Sequence, residues 1–145
     1  MIRNLKDNDL DEIMEIWLCS NTEAHSFVPE SYWRDNFSSV KKALPKAEVY
    51  VYEDKNGEIQ GFIGFDGSYV AGLFVRKEAR SKGVGKSLLD FAKDRKESLS
   101  LKVYAKNVRA VKFYEREGFK TAAEKIDGDT GEREYLMAWE KGGEN

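Results

Sequence analysis

The stretch 80-RSKGVGKS-87 follows the apolar run AGLFV at residues 71–75 and precedes a segment of helical periodicity. In that segment, Val84, Leu88, Phe91 and Ala92 recur at the spacing of one helix face, so a helix is predicted to begin near Gly85. Glycines allow a tight turn with no side chain in the way of a ligand, and the first amides of a helix attract anions. The stretch therefore predicts a strand–loop–helix unit that binds a phosphate group, with Arg80, Lys82 and Lys86 adding positive charge.

Two common phosphate-binding patterns fail on this stretch. A Walker A loop needs a glycine where the chain has Arg80, although Gly85, Lys86 and Ser87 match its end. A dinucleotide-binding loop needs a third glycine where the chain has Leu88. The stretch therefore retains only an Arg80-x-x-Gly83-x-Gly85 pattern. This pattern is compatible with phosphate binding, but also with a plain glycine-rich turn whose basic side chains are solvated.

A second group of polar residues follows the next predicted strand. Asn107 stands where that strand gives way to a helix, as a helix cap or a ligand-facing amide, and Tyr114 comes seven residues later. Seven helical steps return to nearly the same side of the helix, about 10.5 Å further along its axis. Asn107, Ala110 and Tyr114 therefore share one stripe, in which the small alanine leaves room for a long, thin ligand. The alternative is that Asn107 only caps the helix and that Tyr114 only packs against its neighbours.

The order of predicted strands and helices along the chain indicates a mixed sheet with helices on its faces. The chain alternates predicted elements in the order β-α-α-β-β-β-α-β-α-β-β, with an Asn-Gly hairpin at residues 54–57 and a final hairpin around residues 127–131. Pro45 ends the second helix. We expect one domain over residues 1–139 and a loose tail over residues 140–145.

Composition excludes several classes of protein. The 145 residues are 41% hydrophobic, and 24 basic against 26 acidic residues disfavour a nucleic-acid partner. No apolar run approaches the length of a membrane span, and residues 1–12 do not form a signal peptide. The single Cys19 excludes an internal disulfide, and its neighbours Trp17 and Leu18 predict a buried thiol in a reducing, cytoplasmic setting.

Taken together, the two groups resemble the GNAT superfamily of acetyl-CoA-dependent N-acetyltransferases. Its pyrophosphate loop, [R/Q]-x-x-G-x-[G/A], is matched by Arg80, Gly83 and Gly85, and its second signature by Asn107, Ala110 and the FY and GF pairs at residues 113–114 and 118–119. The likeness covers residues 1–139. It implies an α/β (α+β) fold: a central, mostly antiparallel sheet of about seven strands with about four helices.

The resemblance implies an acetyl-CoA site between two strands that splay apart, at residues 72–75 and 101–105. There the pantetheine arm pairs with a strand backbone, whose amide also polarises the thioester carbonyl, and loop amides hold the pyrophosphate. The cofactor-binding residues implied are Leu73, Phe74, Val75, Arg80, Lys82, Gly83, Val84, Gly85, Lys86, Ser87, Asn107, Ala110, Phe113 and Tyr114. No metal is expected.

The resemblance also implies direct attack by an amine on the thioester in a ternary complex, with Tyr114 as general acid toward the coenzyme A thiolate. Many relatives carry a carboxylate on the strand before the loop, but residues 69–75 contain none, and Asp66 lies further upstream on a predicted turn. The lone His25 is a candidate base or substrate contact, because imidazole accepts protons near neutral pH. Together with Phe27, Tyr32 and Trp33, it is expected to shape the acceptor pocket.

The sequence leaves three functions open. The first is N-acetyl transfer to a small-molecule amine, a protein lysine or an N-terminus. The second is a coenzyme A-binding module without activity, suggested by the missing strand carboxylate, and the third is a P-loop hydrolase, which Arg80 argues against. The pattern does not decide between monomer and homodimer, or between acetyl and longer acyl donors.

Overall fold

The computed structural model describes residues 1–142, which form one sheet flanked by helices. The strands are β1 (Ile2–Asn4), β2 (Glu48–Glu53), β3 (Ile59–Asp66), β4 (Tyr69–Val75), β5 (Ser98–Tyr104), β6 (Lys120–Ile126) and β7 (Arg133–Glu140). The α-helices are α1 (Leu10–Ala24), α2 (Glu30–Ala43), α3 (Val84–Arg95) and α4 (Val108–Arg116). The predicted order of strands and helices is confirmed. Residues 143–145 of the predicted tail lie outside the described residues.

The seven strands pair in the order β1-β2-β3-β4-β5-β7-β6. Every neighbouring pair is antiparallel except β4 and β5, which run parallel and pair only at Tyr69 and Ser100. Beyond that point the two central strands separate, as the sequence predicted. The sheet is therefore split at its middle, on the side where both strands end.

Each face of the sheet carries its own hydrophobic core. On one face, α1 and α2 pack through residues such as Ile13, Trp17 and Trp33. On the other face, α3 and α4 pack around residues such as Leu88 and Leu101. Both helix pairs bury one apolar stripe against the strands, which is the arrangement that the sequence periodicity predicted.

The prediction for Cys19 was wrong, because this residue is exposed. The buried side chains of α1 recur three to four residues apart, at Ile13, Ile16, Trp17 and Ser20. Two helical steps separate Cys19 from Trp17, which turns it to the opposite side of the helix. No helix within residues 1–142 is both long enough and apolar enough to cross a membrane.

Candidate active site

A cleft of about 1000 Å³ opens where β4 and β5 separate. Its walls are the length of β4, the second half of β5, the loop before α3, one side of α4 along its length and the second half of α1. Both α3 and α4 begin at this cleft, so two helix N-termini direct their unpaired amides toward it. The divergence of two strands thus creates a site for an elongated, negatively charged ligand.

A bulge in β4 forms part of the cleft wall. Gly64 pairs with Gly72 and Phe65 with Val70, so Ala71 has no partner on β3. A β-bulge of this kind bends the strand and interrupts the ladder of hydrogen bonds. The bulged residue lines the cleft, and the backbone of residues 72–75 continues along its wall.

The loop before α3 has the shape of an anion cradle. Gly83 caps the helix with φ of +85°, and Ser81 is also left-handed, with φ of +64°. The amides of Val84, Gly85 and Lys86 have no backbone acceptor within residues 1–142, because the first helical bond runs from the Ser87 amide to the Gly83 carbonyl at 2.9 Å. Three amides are therefore free for a phosphate group, whereas the Ser87 amide, which the sequence included, is engaged.

The second glycine of the loop lies against the cleft wall. A Cβ built on Gly85 would lie 3.5 Å from Phe113 Cζ and 3.6 Å from Val75 Cγ2, which is ordinary van der Waals contact. A Cβ on Gly83 would meet nothing within 4 Å. The requirement at Gly83 is therefore conformational, since side chains with positive φ are strained.

Acidic partners hold Arg80 and Lys86, two of the cations that the sequence placed around the phosphate. Arg80 forms an ion pair with Glu23 at the end of α1, and its hydrogen bond lowers the pKa of that carboxyl. Lys86 Nζ lies 3.3 Å from both Asp90 and Glu117. Positive charge at the loop is therefore partly neutralised by the protein itself, and the backbone amides remain as the main anion donors.

The α4 stripe lies along the cleft as predicted. Asn107 caps the helix, because its Oδ1 accepts the Ala110 amide at 3.3 Å. Tyr114 is buried between Phe113 and Phe119, with ring centroids 5.3 Å and 5.6 Å away. Burial raises the pKa of the Tyr114 phenol, so the hydroxyl keeps its proton at neutral pH. This group lines the cleft as a potential proton donor.

His25 closes the other side of the cleft. Its Nε2 lies 3.2 Å from Asn107 Nδ2, and its ring packs against Trp33 and Tyr104, at 5.3 Å and 5.0 Å between centroids. Since the Asn107 oxygen is fixed by the helix cap, its nitrogen donates, and His25 Nε2 accepts. The proton of the neutral ring then sits on Nδ1, which is buried and makes no well-aligned hydrogen bond, as is also the case for Trp33 Nε1.

Burial lowers the pKa of His25 to about 4, and the Asn21 backbone opposes this shift only in part. The imidazole is therefore neutral at physiological pH, with its Nε2 lone pair engaged by Asn107. A group in this state is a weak base. Its geometry suits a positioning role between the α1–α2 connection and α4.

Most of the predicted cofactor residues lie together along the cleft. Those that line it are Leu73, Phe74, Val75, Arg80, Gly83, Gly85, Lys86, Asn107, Ala110, Phe113 and Tyr114, and those that do not are Lys82, Val84 and Ser87. Of the residues expected to shape the acceptor pocket, His25 and Trp33 line the cleft. Phe27 and Tyr32 pack behind them, 5.6 Å from the His25 ring and 4.9 Å from the Trp33 ring.

Sequence reasoning missed several charged residues of the cleft. Arg109 and Arg116 line it, and Arg109 Nη2 donates to Ser81 Oγ at 3.3 Å. Both lie on the helical stripe of Phe113, a spacing that could have identified them. Lys102 on β5 and Glu134 on β7 also line the cleft. Lys102 lies in the stretch 101–105 that the sequence placed beside the site, although it was not singled out. Glu134 comes from a strand whose pairing the sequence did not specify, and no sequence signal marked it.

Comparison with known proteins identifies related sequences and structures. Residues 45–121 match the family model described as acetyltransferase (GNAT) domain. The chain is 35% identical over 141 residues to the peptidyl-lysine N-acetyltransferase YiaC of Escherichia coli (strain K12), covering 96% of each protein. It also resembles the solution structure of apo YjaB from Escherichia coli, with a TM-score of 0.86 and 26% identity over 96% of each chain.

The same fold is found in YncA, a putative acetyltransferase from Salmonella typhimurium solved with its cofactor acetyl-CoA. Its TM-score is 0.70 at 17% identity, covering 100% of this chain and 95% of that one. The family match and the identity to YiaC define the class of this protein as an acetyl-CoA-dependent N-acetyltransferase. The chain belongs to the GNAT acetyltransferase family.

Proposed function

We propose that this protein acetylates the side-chain amine of lysine residues in proteins, by direct attack of the amine in a ternary complex with acetyl-CoA. The observation that carries the proposal is the shared cleft, which an amide cradle, a bulged strand and a buried tyrosine all line. The relatives YiaC and YjaB are named peptidyl-lysine N-acetyltransferases, which supports lysine as the acceptor.

The residues at one end of the cleft fit coenzyme A. The free amides of Val84, Gly85 and Lys86 would hold the pyrophosphate at the N-terminus of α3, where the helix dipole favours negative charge. The backbone of residues 73–75 would pair with the pantetheine arm in the gap where β4 and β5 are no longer hydrogen-bonded to each other. When bound, acetyl-CoA supplies an activated acetyl thioester.

The middle of the cleft supplies the acid chemistry. A backbone amide beside the β4 bulge would donate to the thioester oxygen as that oxygen gains negative charge. Tyr114 would give its proton to the departing thiolate, because burial keeps the phenol protonated. Both groups act on charge that develops during the reaction, which is where catalytic interactions are most effective.

The acceptor end suits an alkyl ammonium group. Trp33 and Tyr104 present aromatic surface around His25, and aromatic rings attract both the methylene chain and the positive head of lysine. The described part of β4 carries no carboxylate, and Asp66 is exposed and outside the cleft lining. We therefore assign His25 a positioning role. The proton of the acceptor amine would leave through water.

Two measurements test the proposal. Acetyl-CoA at 100 times its Kd should stabilise the fold by about 2.7 kcal/mol, whereas ATP should leave the melting temperature unchanged. Release of free thiol with lysine peptides, followed by mass spectrometry, should locate the acetyl group on Nε rather than on the N-terminus. Binding of acetyl-CoA without turnover across lysine peptides would instead favour a coenzyme A-binding module.

A further inference from the structure

Glu134 occupies a distinctive place on the acceptor side of the cleft. It lies on β7, directly opposite Tyr104 of β5 and Lys125 of β6. Since Leu101 and Val103 of β5 are buried on the α3–α4 face, Tyr104 and its neighbour Glu134 lie on the other face, near His25. Glu134 is half-buried and lines the cleft.

Glu134 differs from the other carboxylates of the cleft in having no cationic partner. Three acidic residues line the cleft: Glu23, Glu117 and Glu134. Glu23 pairs with Arg80, and Glu117 pairs with Lys86 at 3.3 Å. Within residues 1–142, no cationic nitrogen lies within 4.0 Å of the Glu134 carboxylate. A half-buried carboxylate without a partner is available to bind a cation.

Two further carboxylates, Asp127 and Asp129, lie beside the aromatic pocket. The hydroxyls of Tyr104 and Tyr32 donate to Asp127 at 2.8 Å and Asp129 at 3.4 Å, which fixes the β6–β7 turn beside the pocket. Burial is the main cause of the raised pKa of Tyr32. The negative charges of Asp127, Asp129 and Glu134 raise it further.

Two lysines face Glu134 from the adjacent strands. Lys125 lies opposite it and Lys102 lies diagonally across β5, yet neither forms an ion pair with it. The charge of Glu134 favours the protonated form of both lysines, yet without a direct ion pair its oxygens stay open to an incoming ammonium group.

We propose that Glu134 binds the ammonium group of the acceptor lysine and makes the enzyme selective for cationic amines. This inference rests on the lysine acetyltransferase activity proposed above. Glu134 forms the initial ion pair, and the aromatic rings of Trp33 and Tyr104 hold the methylene chain of the acceptor. The amine then moves toward the thioester as its proton leaves to water.

The test compares Glu134→Gln with wild type in steady-state kinetics on a lysine peptide. Glutamine keeps the shape and removes the charge, so we expect KM for the peptide to rise by about tenfold or more while the Kd for acetyl-CoA stays unchanged. Raising NaCl from about 50 to about 500 mM should increase the wild-type KM and leave that of Glu134→Gln nearly flat. A purely structural role would not produce this difference in salt response.

Glu140→Gln is the matched control, because Glu140 lies on the same strand but is exposed and outside the cleft lining. It should behave as wild type. The same peptide KM and salt response in Glu134→Gln as in wild type would overturn the role of Glu134 alone. If wild type binds acetyl-CoA but neither binds nor acetylates lysine peptides, the proposed function is wrong, and the inference goes with it.

Discussion

His25 Nε2 and Asn107 Nδ2 lie 3.2 Å apart, although 82 residues separate them in the chain. This hydrogen bond joins the connection after α1 to the N-cap of α4 across the cleft. Asn107 therefore has two functions at once, since its oxygen caps the helix and its nitrogen fixes the histidine ring. The side-chain amide of Asn107 therefore connects the His25 side of the cleft with the α4 side.

The two functions of Asn107 can be separated by substitution. Asn107→Ser retains an oxygen that can accept the Ala110 amide but removes the donor to His25, whereas Asn107→Ala removes both. We expect Asn107→Ala to be less stable than Asn107→Ser by about 1 kcal/mol in urea unfolding. Both should lower kcat/KM for the peptide by a similar factor, because both release His25. Equal activity of Asn107→Ser and wild type would remove the bridge from the catalytic geometry.

The lowered pKa of His25 predicts a dependence of stability on pH. The unfolded ring titrates near 6.5 and the folded ring near 4, so between these values the unfolded state binds more protons. Stability is therefore full above pH 6.5 and falls as the pH drops toward 4. The loss should be on the order of 1–2 kcal/mol, since partial exposure of the ring reduces the effect.

His25→Gln provides the comparison, because glutamine can still accept from Asn107 but does not titrate. Urea unfolding of both proteins at pH 7.5, 6.0 and 4.5 isolates the histidine, since the carboxylates titrate equally in each. We expect the difference in the free energy of unfolding to change between pH 7.5 and 4.5. A constant difference would mean that the ring titrates alike in the folded and unfolded states.

The sequence predicted the elements along the chain better than the contacts between them. Local signals, such as the spacing of Val84, Leu88 and Ala92 on one helix face, are complete within a few residues. Glu134 reaches the cleft only because β7 inserts between β5 and β6, an order that depends on long-range pairing. The bridge from His25 to Asn107 likewise requires the whole sheet to be in place. Cys19 was misjudged because its apolar neighbours obscured the helical spacing.

The two loop glycines should respond differently to alanine. Gly83→Ala places a Cβ on a residue with φ of +85°, which costs about 1–2 kcal/mol and distorts the start of α3. Gly85→Ala adds a methyl group at ordinary contact distance from Phe113 and Val75. Calorimetry should show acetyl-CoA affinity reduced by about tenfold or more in Gly83→Ala and nearly unchanged in Gly85→Ala. Unaltered affinity in Gly83→Ala would mean that the loop is only a turn.

Tyr114→Phe tests the proton donor. The hydroxyl forms no hydrogen bond to another of residues 1–142, and burial is the cause of its raised pKa. Its removal should therefore leave the free energy of unfolding and the Kd for acetyl-CoA close to wild type. Because the leaving thiolate then lacks its acid, we expect kcat to fall on the order of 100-fold with little change in KM.

Tyr135→Phe is the control for this experiment. Tyr135 lies on β7 outside the cleft lining, and its hydroxyl only accepts from Arg133 at 3.3 Å. It should retain wild-type turnover. A kcat for Tyr114→Phe within about twofold of wild type would exclude this hydroxyl as the acid, and water would then have to protonate the thiolate. A raised KM with unchanged kcat would instead identify Tyr114 as a binding residue, since the loss would then affect ground state and transition state equally.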